Sequence, residues 1–257
     1  MTFINSRSVR GSIAFITGGA SGMGAATARL FAAEGAHVAV IDRDAAGLDA
    51  VLADIAAAGG SARGWAIDIG DHAVVDATVA EAAKHFGGID IIVNNAGIAG
   101  FSAIDGDGYD DLWERMLRIN LSAHQWIVRA ALPWLRQSKS PRIVNIASTE
   151  ALGATAYDSA YAAAKAGVTG LTRALAVDLG PEAITVNCIC PGPIDTGMTT
   201  GVEADKKVIF AKRRTALKRY GAPEEVAHIT LSLCLPAASY ITGAVIPVDG
   251  GLFARNA

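Results

Sequence analysis

The chain has little of what would tie it to disulfides, metals, membranes or nucleic acid. Only 3 of its 257 residues are cysteine, too few for a complete disulfide set, and a chain of this length does not need one. Charged residues make up 18% with a net charge of −3, so nothing draws it to a phosphate backbone or anionic lipid. Apolar stretches are broken by charge or glycine well before the roughly 18 residues that a membrane span needs. Residues 1–12 carry charge but no apolar stretch of the secretory-signal kind. The five histidines (His37, His72, His85, His124, His228) have no metal-ligand spacing, so a structural role and no metal are expected. No repeat, low-complexity tract or Pro- or Ser-rich linker divides the sequence. These absences lead to the expectation of a soluble, reduced, cytoplasmic protein, and they say nothing about chemistry.

What the chain does have is apolar surface for a core, at 51% hydrophobic residues, with 28 glycines and 51 alanines for tight turns and close helix packing. Short β-branched runs alternate with longer helical patterns. Strands are expected at Ile13–Thr17, His37–Ile41, Ala62–Ile67, Ile89–Val93, Arg142–Ala147, Thr185–Ile189 and Ala244–Val248. Helices are expected near Met23–Glu34, Ala45–Ala57, His72–Phe86, Tyr109–Gln137, Asp158–Asp178 and Pro223–Cys234. Strand, helix, strand at this spacing implies parallel pairing through right-handed crossovers. The expected fold is α/β, a single domain over 1–257 with a doubly wound sheet of about seven parallel strands and helices on both faces. Residues 192–220 break the alternation and read as an irregular lid or substrate-binding lobe. Cys188 and Cys190 flank Ile189 on a strand, and these two and Cys234 read as small core residues.

Two helices are apolar around most of their circumference, Leu112–Leu135 with its tryptophans and Ala160–Leu179 with Gly167 and Gly170. One sheet covers only one side of a helix, so a second face must be buried. Other helices of the same chain would suffice. Self-association into a homo-oligomer, a tetramer or a dimer, is the favoured expectation.

The first strand runs into Thr17-Gly18-Gly19-Ala20-Ser21-Gly22-Met23-Gly24, and a helix follows. Glycines at 18, 22 and 24 let the backbone turn sharply and approach a pyrophosphate without Cβ interference. The helix start adds free N–H groups and a dipole of the right sign for an anion. A glycine-rich turn alone could be no more than a tight connection. Asp42, at the end of the second strand, adds a carboxylate able to accept hydrogen bonds from both ribose hydroxyls of an adenosine. It would repel a 2′-phosphate, which favours NAD over NADP, while Arg43 beside it is what such a phosphate would want. Asp42 could also merely cap the next helix.

Tyr161 and Lys165 stand at i and i+4 on one expected helix and so emerge on the same face. Ser148 ends the fifth strand, 13 residues before the tyrosine. In an open α/β sheet the carboxyl ends of strands point into the ligand crevice, which places Ser148 for chemistry. Each residue alone has a plain structural reading.

Together with Asp68-Ile69, Asn94-Asn95-Ala96-Gly97, Asn120, Pro191-Gly192 and the Ile241-Thr242-Gly243…Asp249-Gly250-Gly251 end, these segments resemble the short-chain dehydrogenase/reductase family over nearly the whole chain. The order and spacing match, and the Asn-Asn-Ala-Gly and Ser…Tyr-x-x-x-Lys segments are the most specific. The resemblance implies a Rossmann-type domain in which a hydride passes between NAD(H) and a secondary alcohol or ketone. It implies that Tyr161 is the general acid/base, that Lys165 lowers the tyrosine pKa and binds the nicotinamide ribose, and that Ser148 holds the substrate oxygen. Asn120 would bind a water linking Lys165 to solvent. Gly18, Ser21, Gly22, Met23 and Gly24 would cradle the dinucleotide, with Asp42 and Arg43 at its adenosine ribose. Asp68 and Ile69 would contact adenine, Asn95 and Gly97 the adenosine side. Pro191, Gly192, Ile194 and Thr196 would hold the nicotinamide carboxamide and phosphate.

A tyrosine of ordinary pKa about 10 needs to fall by about 3 units, some 4 kcal/mol, to serve as a base near neutrality. One cation about 4 Å away supplies roughly that at an effective dielectric of about 20. Lys165 is therefore expected to supply most of the shift. Substrate-facing candidates are Ile98, Glu150, Thr155, Tyr157 and Met198, with Thr199 and Phe210 in the lobe. Glu150 would bind a second hydroxyl of a diol, polyol or sugar, or it simply faces solvent or a lysine. Two other activities are open: an NADPH-dependent reductase of 3-oxoacyl thioesters, which Asp42 argues against, and a non-catalytic nicotinamide sensor or scaffold.

Overall fold

The computed structural model describes residues 7–255. The first six residues of the N-terminal stretch read above lie outside it. Strands β1 (Ile13–Thr17), β2 (His37–Asp42), β3 (Ser61–Ala66), β4 (Ile91–Asn94), β5 (Arg142–Ile146), β6 (Thr185–Pro191) and β7 (Val245–Val248) form one sheet. The order is β3-β2-β1-β4-β5-β6-β7 and every neighbouring pair is parallel. The direction of winding reverses between β1 and β4, and there the carboxyl ends of the strands open a crevice.

The described residues also form eight α-helices, most of them packed on the two faces of the sheet: α1 (Gly22–Ala33), α2 (Ala45–Ala57), α3 (His72–Phe86), α4 (Tyr109–Leu117), α5 (Ala123–Leu135), α6 (Ser159–Leu179), α7 (Ala204–Arg214) and α8 (Pro223–Cys234). Successive strand residues point to opposite faces, so neighbours on β1 enter different cores. Ile16 packs with Phe31, Leu48 and Val226 on one side, and Phe15 with Val79, Ile127 and Leu135 on the other. With both faces buried, the central strands read as continuous Ile/Val/Ala runs. Helix ends follow local chemistry. The Asp71 carboxylate accepts from the N–H groups of Ala73 and Val74, and Gly87 closes α3 in the left-handed region at φ 88°.

The structure departs from the expected elements at two places. The long helix expected over Tyr109–Gln137 is two helices joined by a π-helical turn, Arg118–Ser122. Such a turn inserts an extra residue, and here it turns Asn120 inward. The segment 192–220 is only partly irregular, because it contains α7. In that helix Val208, Ile209 and Phe210 are consecutive and about half exposed, and only Ala211 is buried. Charged residues fill much of the helix (Asp205, Lys206, Lys207, Lys212, Arg213 and Arg214), so little apolar signal marks it in the sequence. Part of the apolar surface of α4 and α5 is covered by the chain itself: Met116, Ile127, Val128 and Leu135 are buried, and Leu112, Leu117, Leu132 and Trp134 are half-buried. Trp126 stacks on His72 at 4.8 Å. The three cysteines are buried and free, and among the described residues no helix is long and apolar enough to cross a membrane.

A polar layer crosses the core behind the crevice. Asn94 donates to Asn145 at 2.9 Å, and Asn145 donates to Thr172 at 3.0 Å. His124 lies beside this layer, fully buried. Burial, then the nearby Lys165 charge, pushes its pKa down to about 3, with Asn145 opposing weakly. An unfolded histidine titrates near 6.5, so between about pH 6.5 and 3 the unfolded chain binds a proton that the native chain refuses. Stability therefore falls as the pH drops through that window. The expected loss is about 3 kcal/mol by pH 4, roughly 10 °C in unfolding midpoint for a chain of this size. Thermal unfolding of the wild type and His124→Gln at a series of pH values checks it: the variant should lose this part of the acid slope.

Candidate active site

The turn between β1 and α1 is held from behind. The Thr17 hydroxyl accepts from the N–H groups of Asn95 and Ala96, both at 3.0 Å, and the Asn95 amide donates to the carbonyls of Thr17 and Gly18. The Asn-Asn-Ala-Gly segment after β4 is thus tied to the glycine turn after β1. Gly18 and Gly22 sit at φ +67° and +53°, where other residues are strained. A Cβ at Gly18 would lie 2.7 Å from the Asn95 amide, and one at Gly24 would lie 2.0 Å from the Gly18 carbonyl oxygen.

In front of this turn lies a cleft of about 520 Å³ along the carboxyl ends of the strands. Gly18, Ser21, Gly22 and Met23 form its floor, and Asp42, Arg43, Asp68 and Ile69 one end. Asn95, Gly97, Ile98, Tyr161, Lys165, Thr196 and Met198 line the remainder. The Asp42 carboxylate is held in place by the N–H groups of Ala20 (3.0 Å) and Asp44 (3.1 Å), so it joins the glycine turn to the cleft rim. The size, the left-handed glycines on the floor and the oriented carboxylate at one end fit a dinucleotide.

Several residues expected at the cofactor stand behind the wall. Gly24 is buried and serves the packing of α1 on the turn. Pro191 is buried within β6, and Gly192 backs onto Asp249. Ile194 is buried in the core and bridges to Gly221. The side chain of Asn120 is already committed: its oxygen accepts from Ile98 N–H, and its amide donates to the Ile98 carbonyl and the Met116 sulfur. Its side chain thus has little left with which to hold a water.

Tyr161 and Lys165 open onto the cleft from one face of α6. Lys165 is 3% exposed, and its ammonium donates to the Ile146 carbonyl at 2.8 Å. Burial pushes its pKa down to about 8. The Ser148 hydroxyl caps the short turn that follows β5 by accepting from Glu150 N–H, and it also faces the Tyr161 phenol. The tyrosine departs from the expectation. Its pKa stands raised to about 12, because burial outweighs the Ser148 hydrogen bond and the charges of Asp158 and Glu150 push the same way. The Lys165 nitrogen lies 5.7 Å from the centre of the Tyr161 ring. The expectation counted the attraction of the cation and left out the desolvation of the phenol, which is larger here. Tyr161 is therefore a protonated phenol over the whole neutral range.

The substrate candidates divide. Ile98 and Met198 line the cleft, and Met198 is 57% exposed. Both Glu150 carboxylate oxygens are taken by Thr155, from its N–H at 2.7 Å and its hydroxyl at 2.8 Å, so these two residues staple a loop. Tyr157 points outward, with its main chain in the left-handed region at φ 66°. Thr199 closes the turn after Thr196, and Phe210 packs edge-on against Tyr220. Asp44, Ala96, Ile119 and Ala147 also line the cleft, though none was singled out from the sequence as a site residue.

A family model described as enoyl-(acyl carrier protein) reductase matches residues 18–253. The chain is 39% identical to the short-chain reductase protein NovJ of Streptomyces niveus over 246 residues, covering 93% of each chain. The chain belongs to the short-chain dehydrogenase/reductase family. It is also 38% identical to meso-2,3-butanediol dehydrogenase of Serratia marcescens, over 95% of each chain. Its structure resembles carveol dehydrogenase from Mycobacterium avium, solved in complex with NAD, with a TM-score of 0.91 at 27% identity over 98% of this chain and 100% of that one. As a short-chain dehydrogenase/reductase the protein is an oxidoreductase of the NAD(P)-using kind, and oxidation of alcohols or reduction of ketones fits these relatives.

Proposed function

We propose that the protein is an NAD-dependent dehydrogenase of secondary alcohols, or a reductase of the matching ketones. The observation that carries this reading is a single cleft with Asp42 at one end and Tyr161 and Lys165, one helical turn apart, at the other. NAD, when bound, accepts or supplies the hydride.

The residues of the chain bind, orient and move a proton. When NAD binds, the N–H groups of the Gly18–Met23 turn would hold the pyrophosphate, Asp42 would take the ribose hydroxyls, and Asp68 and Ile69 would border the adenine. Asn95 holds the turn in shape, and Gly97 keeps the wall flat beside Asn120, because a Cβ there would come within 2.7 Å of the Asn120 oxygen. Thr196 lies against Gly22 and closes the nicotinamide side, with Pro191, Gly192 and Ile194 fixing the chain behind it. Ser148 holds the substrate oxygen against the Tyr161 hydroxyl. Tyr161 gives its proton to that oxygen in reduction and takes it in oxidation. Lys165 places positive charge beside the phenol and would hold the nicotinamide ribose. Ile98, Met198 and the 192–220 lobe bound the substrate. Self-association belongs to the same reading: Trp113 and Val177 leave apolar surface on α4 and α6, and a Cβ at Gly170 would meet nothing within 4 Å.

A 2′-phosphate beside Asp42 would meet roughly 3–4 kcal/mol of repulsion per charge at close range and an effective dielectric of about 20. Asp42→Asn should raise the KM for NAD about tenfold and narrow its advantage over NADP. Steady-state kinetics with both nucleotides would check it; an unchanged ratio would remove Asp42 from the selection. A panel of secondary alcohols with NAD or NADP, followed by the near-ultraviolet absorbance of the reduced nicotinamide, tests the function. NAD-linked turnover supports the reading. NADP-linked reduction of 3-oxoacyl thioesters, or nucleotide binding with no turnover at all, would replace it.

A further inference from the structure

Asp158 is a buried carboxyl group, 5% exposed, whose Oδ1 has no hydrogen-bond partner among the described residues. It occupies the N-cap position of α6, yet its side chain caps no N–H of the helix. An acid in such a place costs stability unless something completes its hydrogen bonding. Its position says what that would be. Asp158, Tyr161 and Lys165 succeed one another at i, i+3 and i+7 along one face of α6. Lys165 lies toward the cofactor cleft, and Asp158 stands one helical turn to the other side of Tyr161. The Tyr161 phenol feels the Asp158 charge directly. The neighbouring acid, Glu150, already has both oxygens bonded to Thr155, whereas Asp158 Oδ1 has none.

We infer that Asp158 forms a substrate subsite that receives a hydroxyl on the carbon next to the reacting one, making vicinal diols and the matching hydroxyketones the preferred substrates. This inference rests on the proposed function and names the substrate class of the same site. Ser148 and Tyr161 hold the reacting oxygen, and Asp158, a helical turn away, meets the second. Burial and the Glu150 charge push the Asp158 pKa up to about 7. Near neutrality the carboxyl can therefore accept from the hydroxyl or donate to it. A site built around a buried polar group discriminates against analogues that leave it unpaired.

The test compares kcat/KM with NAD for 2,3-butanediol against 2-butanol, and for cis-1,2-cyclohexanediol against cyclohexanol, in the wild type, Asp158→Asn and Asp158→Ala. The wild type should favour the diol by about tenfold or more in at least one pair. Asp158→Ala should bring that ratio to near one. Asp158→Asn, which keeps an acceptor, should retain a clear preference. A wild-type ratio near one, or an alanine variant that loses both substrates in equal proportion, would overturn the subsite and leave the dehydrogenase reading standing. No turnover of any alcohol by a wild type that still binds NAD would overturn both.

Discussion

Tyr161→Phe loses turnover by about three orders of magnitude or more and still binds NAD with near wild-type affinity. The substitution removes one oxygen and leaves the ring, which lies against Lys165, in place. That oxygen is the only group on the α6 face that both meets the Ser148 hydroxyl and opens onto the cleft. Without it the substrate oxygen still has Ser148 to rest on, but nothing gives or takes its proton. With a pKa of about 12 the phenol keeps its proton through the neutral range. That suits it as the donor in ketone reduction, and an alcohol oxidation that needs the phenolate should quicken as the pH rises. Stopped-flow quenching of protein fluorescence by NADH separates binding from turnover. Near-normal turnover in the variant would remove Tyr161 from the proton path, and lost binding would make it a cofactor residue instead.

Gly24→Ala costs about 3 kcal/mol of stability, roughly 10 °C in unfolding midpoint, and weakens NAD binding as well. The added methyl would stand 2.0 Å from the Gly18 carbonyl oxygen and 2.5 Å from the Asn95 amide nitrogen. Neither is the loose end of a flexible side chain. Gly18 belongs to the turn itself, and the Asn95 amide is what ties that turn to the segment after β4. Relief therefore has to come from moving α1 off the strand or from opening the floor of the cleft. Scanning calorimetry with and without NAD measures both effects: the variant should melt earlier, and NAD should raise its midpoint by less than in the wild type. A variant with an unchanged midpoint and an unchanged NAD response would contradict the packing described for this turn.

The parts legible in the sequence are those where a residue type and a period coincide. Strand β1, the glycine turn, Asp42 at the end of β2 and the i, i+4 pair on α6 each carry both, and the structure brings their side chains to one cleft. Glycine serves binding and packing alike, so the sequence could not separate Gly18 and Gly22, on the cleft floor, from Gly24, under it. The same holds for Ile194, whose place in the motif hides that its side chain is core. Burial is invisible in a sequence, and for that reason the sign of the Tyr161 shift came out opposite to the expectation. Glu150 and Asp158 differ for a related reason. Which of two nearby acids is stapled to the chain depends on the path of residues 150–158, and Thr155 takes the first and leaves the second unpaired. The π-helical turn at Asn120 has no compositional mark at all.

The central claim is that hydride passes between a carbinol carbon and NAD in the cleft below Tyr161. The most direct measurement uses a secondary alcohol carrying deuterium on its carbinol carbon, chosen as the panel member that turns over fastest. Mass spectrometry then reads the reduced cofactor. The account predicts NADH carrying one deuterium, formed by the wild type and absent with Tyr161→Phe. NADH without the label, or no alcohol in the panel able to reduce NAD, would contradict it.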